Sequence, residues 1–226
     1  MYHQRESLPF SPLPSALSAL QTYLSPARLG SYMNEAKQDV HLALRLHRWN
    51  AQLCETLYVP SQMVEIGFRN HLHEVMSNRF SVCWPLLFNS PALRALPAGA
   101  RDQIRKAAQK INRKPHTTDA IVANLTFGFW CRMLDDDYDT VLWRQGIHHS
   151  FPLLPPDMDR AALREHMMAI RDFRNRVAHH EPVFSKGPQR HFGMMVQAIA
   201  WMSPEAHDYI KLQAADFHKV HAARPR

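Results

Sequence analysis

Between Val40 and Met76 apolar side chains return at the spacing of a helix. One run carries Val40, Leu44, Leu46, Leu53 and Leu57, and a second carries Met63, Ile66, Phe68, Leu72, Val75 and Met76 on or near one face. Such a period commits the chain to amphipathic helices that bury a stripe against one another. Pro60 stands between the two runs and predicts a break, hence two long helices.

The rest of the chain agrees with that class. Ser25 before Pro26 reads as an N-cap followed by proline at the first helical position. "ARDQIRKAAQKINRK" predicts a helix with a basic face, stopped by Pro115. "TTDAIVANLTFGFWCRML" starts at a Thr/Asp cap and predicts one buried helix, and "DDDYDTVLWRQGIHHSF" predicts another behind an acidic cap. A long helix capped by Asp157 or Asp159 should run to about His180, because Pro182 disfavours helical geometry at Glu181. "RHFGMMVQAIAWM" and "SPEAHDYIKLQAADFHKV" follow as two more helices. Only 7 of 226 residues are glycine, β-branched runs are rare, and no credible strand pair emerges. The expected fold is an all-α bundle in a single domain over residues 14–218, with a lead-in at 1–13 and a frayed basic tail at 219–226.

Lysine and arginine number 27 against 20 acids, a net charge of +7 that favours polyanions, RNA first among them. Three dispersed cysteines without a CxxC suit a reducing cytoplasm, with neither a disulfide framework nor a zinc site. The N-terminus lacks the apolar core of a signal peptide, and no apolar run approaches the ~18 residues of a membrane span. The expectation is a cytoplasmic protein with no membrane contact.

Chemistry concentrates in "RDFRNRVAHHEPVF", which runs from Arg171 to Phe184. Arg171, Asn175 and His179 share a helix face at four-residue steps. Arg174 lies about 140° away from His179 on an ideal helix, so a bend, a folded side chain or a second copy of the chain must unite them. In a two-fold dimer, two such helices would line one cleft with arginine forks for phosphate and histidines for proton transfer. That set suits metal-free RNA cleavage, in which the 2′-hydroxyl attacks the adjacent phosphorus. A plainer reading is also open, namely that cations at a helix C-terminus simply complement its dipole.

Motifs for other chemistries are missing. "HEVMS" at His73 has Ser77 where a zinc peptidase carries its second histidine. His71 and His73 stand about 200° apart on a helix and cannot share an ion. "DDDYD" could hold a divalent ion, although a solvated helix start is its commoner meaning. GxxxxGK[ST], GxGxxG and GxSxG are all absent. The sequence therefore calls for no metal and no cofactor. The tripeptide "FRN" occurs at Phe68 and again at Phe173, but the surrounding spacings differ and the repeat reads as chance.

"RNRVAH" resembles the Rx4-6H signature of HEPN domains. "RLGSYM", "LALRLHRWNAQL", "EIGFRNHLHEVM", "ANLTFGFWCRML", "VLW" and "FRNRVAHHEPVF" follow in the order expected of the Abi-like family, a bacterial abortive-infection group related to the AbiD and AbiF proteins. The resemblance covers about Leu24 to Phe184. It implies a HEPN-like helical bundle with additional helices, RNase activity without a metal, and a role in phage defence or as the toxin of a toxin–antitoxin pair. By it, Arg174, Asn175 and His179 are catalytic; Arg171, on the same face, and Arg176 and His180, on other faces, are read beside them as RNA-binding or supporting residues. Glu65, Arg69 and Asn70 match a second block and would support the cleft; Glu65 and Arg69, four apart on one helix, are expected to pair. Related toxins that are nucleotidylated carry tyrosine two residues after the histidine, where this chain has Glu181. The implied partners are RNA, a second copy of the chain, and an antitoxin or other defence-system component. The alternative is an inactive HEPN module that binds RNA, a nucleotide or a partner.

Overall fold

The computed structural model describes residues 14–88, 90–111 and 115–226; the lead-in at 1–13 lies outside them. The described residues form an all-α fold. Helices α1 (Pro14–Leu24) and α2 (Pro26–Glu35) open the chain, and Ser25 caps α2 by accepting from the Arg28 amide at 3.3 Å.

The centre of the molecule is α3 (Val40–Arg79), a single helix of 40 residues. Asp39 caps it, its carboxylate accepting from the amides of His41 and Leu42. Pro60 does not divide it, contrary to the sequence-based expectation. Proline in a helix interior removes one backbone bond and costs roughly 3 kcal/mol. Against that stands a seam through Ala43, Leu46, Leu53, Leu57, Pro60, Val64, Phe68, Leu72 and Met76, all buried, with the proline ring itself in the core. At about 1.5–3 kcal/mol for each large apolar side chain, the seam outweighs the local cost several-fold. Next to the proline, side-chain hydroxyls stay satisfied within the helix: Ser61 donates to the Leu57 carbonyl at 2.7 Å, and Thr56 to that of Leu53 at 2.8 Å.

After α3 come a 3₁₀ turn at Trp84–Leu86, the one-turn α4 (Pro91–Arg94), and α5 (Ala98–Gln109). The expected single helix over "TTDAIVANLTFGFWCRML" is two: α6 (Thr118–Asn124) and α7 (Phe127–Arg132). Leu125 is extended, and Thr126 starts α7 by accepting from the Phe129 amide at 3.2 Å. The threonine offers the backbone a second start, and the kink lets Leu125, Phe127, Phe129 and Trp130 all enter the core.

The acidic segment is not an α-helix either. It forms 3₁₀ turns at Asp136–Tyr138, Trp143–Gln145 and Ile147–Ser150. Its carboxylates serve a neighbour instead of their own helix start: Asp135 pairs with Arg164, and Asp136 and Asp139 with Arg160. Both arginines stand in the first turns of α8 (Arg160–Ala178), which Asp159 caps. α9 (Pro188–Met202) and α10 (Pro204–Ala222) close the bundle, the second entered through Ser203 as its cap.

α3 is packed by α2, α7, α8, α9 and α10. The C-terminal end is docked, not frayed. α10 continues to Ala222, so the expected boundary at residue 219 falls inside it. Trp49 donates to the Val220 carbonyl at 2.7 Å, and Arg224 pairs with Glu35 while lying over the rings of Trp49 and Phe184. Among the described residues no helix is long and apolar enough to cross a membrane.

Candidate functional site

A cleft of about 1110 Å³ opens between one flank of α3 and the C-terminal end of α8. Its α3 wall runs from His47 to Arg69, about 33 Å along the helix. The two helices run antiparallel there. Glu65 meets Arg174, and further back along α3 Asn50 meets Val183. Arg69 and Arg174 lie at one end of the cleft, and Tyr32 and His47 lie at the other.

Four of the nine residues singled out in the sequence line this cleft: Glu65, Arg69, Arg174 and His180. The expected pairing of Glu65 with Arg69 does not occur. Glu65 binds Arg174 across the helices at 2.6 Å, and Arg69 instead donates to Asn70 at 3.2 Å. A guanidinium reaching from another helix arrives with a freer choice of angle than a neighbour four residues along, whose stem follows the same surface. Arg174 also donates to Asn175 at 3.3 Å, so the two "FRN" segments repeat one local contact. Their phenylalanines, Phe68 and Phe173, are both buried.

The other motif residues lie around the cleft. Arg171 pairs with Asp172 at 2.5 Å and passes beside Gly128. Arg176 pairs with Glu181 at 3.0 Å. His179 is exposed at the C-cap of α8 and is absent from the cleft wall. Within one chain Arg174 thus lines the cleft and His179 does not.

The turn after α8 is held in detail. The Glu181 amide donates to the Arg176 carbonyl at 2.9 Å and the His180 amide to that of Val177 at 3.1 Å. This double closure requires a left-handed residue between, and His180 takes it at φ 56°. Arg28 of α2 then donates to the carbonyls of His179 and His180, at 3.3 and 3.0 Å. Asn50, buried on α3, accepts from the Val183 amide at 2.9 Å. Sequence reading missed Arg28, Asn50, Tyr32 and His47. Arg28 and Asn50 carry no local signal, because their partners lie more than 130 positions away.

The protonation chemistry of the cleft is narrow. Burial pushes the Tyr32 hydroxyl up to about 12 and the Cys54 thiol up to about 11, so neither ionises near neutral pH. Burial, with the Arg28 charge nearby, lowers His47 below the usual histidine value and keeps its ring neutral. Among the described residues no three His, Cys, Asp or Glu side chains stand close enough to share a metal ion. Tyr58 and Ile66 are exposed on the cleft wall, at 63% and 37%.

Comparison with known proteins finds no matching family model, and neither a curated protein nor a solved structure that matches this chain.

Proposed function

We propose that this chain is a metal-independent endoribonuclease of the Abi-like HEPN type, acting as a cytoplasmic homodimer in phage defence or as the toxin of a toxin–antitoxin pair. The observation that carries the reading is the cleft between two antiparallel helices, lined by Arg69 of α3 and by Arg174 and His180 from the end of α8. Arginine forks suit phosphate oxygens, and a histidine at a helix end suits proton transfer.

In this reading His179 acts as general acid or base toward the 2′-hydroxyl or the leaving 5′-oxygen. Arg174 stabilises charge developing on the phosphorane-like state, and Asn175 positions the RNA. Glu65 keeps the Arg174 fork aimed at the cleft. Because His179 is exposed beyond the wall that Arg174 lines, a second copy facing the cleft would complete the set. The exposed Tyr58 and Ile66 give that copy an apolar seat. An antitoxin or another defence-system partner would act by covering the same face.

The test is purified protein with total RNA in EDTA, with end analysis of the products. Wild type should cleave and leave 2′,3′-cyclic phosphates. His179→Ala should abolish cleavage and keep much of the RNA affinity, whereas Arg174→Ala should lose cleavage and some binding. Full activity in His179→Ala, or 3′-hydroxyl ends that require magnesium, would overturn the mechanism. A second reading, a non-catalytic HEPN module that binds RNA, a nucleotide or a partner, draws on the 2.6 Å contact by which Glu65 already neutralises Arg174. Retained RNA without any cleavage in the same assay would decide for it.

A further inference from the structure

We propose that Arg28 is a positioning residue for the histidine pair: it fixes the His179–His180 turn at the cleft from outside the motif helix. The consequence for chemistry rests on the nuclease reading above; the hold on the turn does not.

Helix α8 ends with carbonyls that have no helical donor. The two closing bonds from His180 and Glu181 satisfy Val177 and Arg176. The carbonyls of His179 and His180 lie beyond that closure, and one guanidinium nitrogen of Arg28 reaches both. A cation at this end of a helix is also where the dipole favours one.

The origin of the contact is firm. Arg28 stands in the first turn of α2, its amide bonded to the Ser25 hydroxyl at 3.3 Å. One and four residues on, Leu29 and Tyr32 are buried at 3% and 1% exposure, which fixes the direction in which Arg28 projects. Its own side chain is exposed and fills no part of the core. Losing it therefore removes hydrogen bonds and charge but little packing.

What it holds is a strained link. His180 sits in the left-handed region, where a side chain other than glycine is uphill. Without Arg28 the turn keeps its two backbone closures and the Asn50–Val183 bond, so the fold survives. The carbonyls of both histidines lose their only side-chain donor among the described residues, which loosens the hold on their positions relative to Arg174. A shift of about 1 Å at such a site is enough for roughly a hundredfold loss of rate.

The experiment compares wild type, Arg28→Ala and Arg28→Lys in two ways: amide hydrogen exchange across residues 176–183, and RNA cleavage with kcat and KM separated. Arg28→Ala should raise exchange at His180 and Glu181 about tenfold while core amides stay protected. Its kcat should fall about tenfold or more with little change in KM, and lysine, which restores a donor and the charge, should recover part of both. Unchanged exchange in Arg28→Ala would overturn the proposal. So would faster exchange with wild-type kcat, or a loss confined to KM, which would make Arg28 an RNA contact. If wild-type protein fails to cleave RNA, the nuclease reading falls and the exchange data alone decide whether Arg28 holds the turn.

Discussion

His180 carries an unfavourable backbone angle at the edge of the cleft. At φ 56° it holds the left-handed position that closes α8, where glycine is the usual residue. His180→Gly should therefore raise stability by about 1 kcal/mol, read as a higher urea midpoint at constant m-value. A lower midpoint would mean that the imidazole makes contacts in the cleft that outweigh the strain. His73 constrains a proton in a different way. Its Nδ1 accepts from the indole of Trp84 at 3.0 Å, and an indole can only donate. Protonating Nδ1 would set two donors against each other, in agreement with the depressed pKa that burial gives this ring. The site residues show the same contrast between local and distant signals. Arg174 and His179 were visible in a ten-residue window, whereas the partner of Glu65 was misjudged because that partner lies on another helix.

At the scale of elements, α7 tests how aromatic density is accommodated. Trp130 is fully buried and packs edge-on against Trp84 and Phe129, at centroid separations of 6.3 and 5.1 Å. Trp130→Ala should cost about 3–5 kcal/mol by thermal or urea unfolding, and an unchanged melting temperature would refute the packing. Gly128, two residues before Trp130, leaves room for a side chain. A Cβ there would meet the Arg171 Cδ at 3.6 Å, an ordinary contact. Gly128→Ala should be tolerated and should gain about 0.5–1 kcal/mol of helix propensity. Thr126→Ala should cost about 1 kcal/mol, because it removes the cap that restarts the chain after Leu125.

At the scale of the whole molecule, three histidines link stability to pH. His47, His73 and His166 all have pKa values lowered, in each case chiefly by burial. The fold holds them neutral, while in the unfolded chain they titrate near 6.5. Their contribution is thus complete above about pH 6.5 and is lost as pH falls through the lower folded values. The melting temperature should drop between pH 7.5 and pH 5, before the carboxylates titrate. In His73→Asn, whose amide oxygen can take the place of Nδ1, that drop should be smaller; an equal drop would assign the effect elsewhere. Assembly is the second molecular property. Light scattering should give a dimer, and Tyr58→Asp, which puts a charge on the exposed cleft wall, should shift it to monomer without lowering helicity. A monomeric wild type would remove the second copy from the proposed mechanism.

Helical class, several helix starts and the residues of the motif were legible in the sequence because they rest on contacts within four positions: Ser25, Thr117, Asp159 and Ser203 each cap the helix they precede. Continuity was not legible. Pro60 and Thr126 are both local breakers, yet α3 runs through the first and the chain splits at the second. The difference lies in what surrounds them, since five helices pack on a continuous α3, while the break at Leu125 goes with burial of Leu125, Phe127, Phe129 and Trp130 together. The acidic segment likewise went to the arginines of α8, and Arg224 to Glu35, Trp49 and Phe184, through long-range charge and stacking. The cleft belongs to the same category. Its cations were written in two separate "FRN" segments, but only the antiparallel packing of α3 against α8, and the reach of Arg28 from α2, turned them into one site.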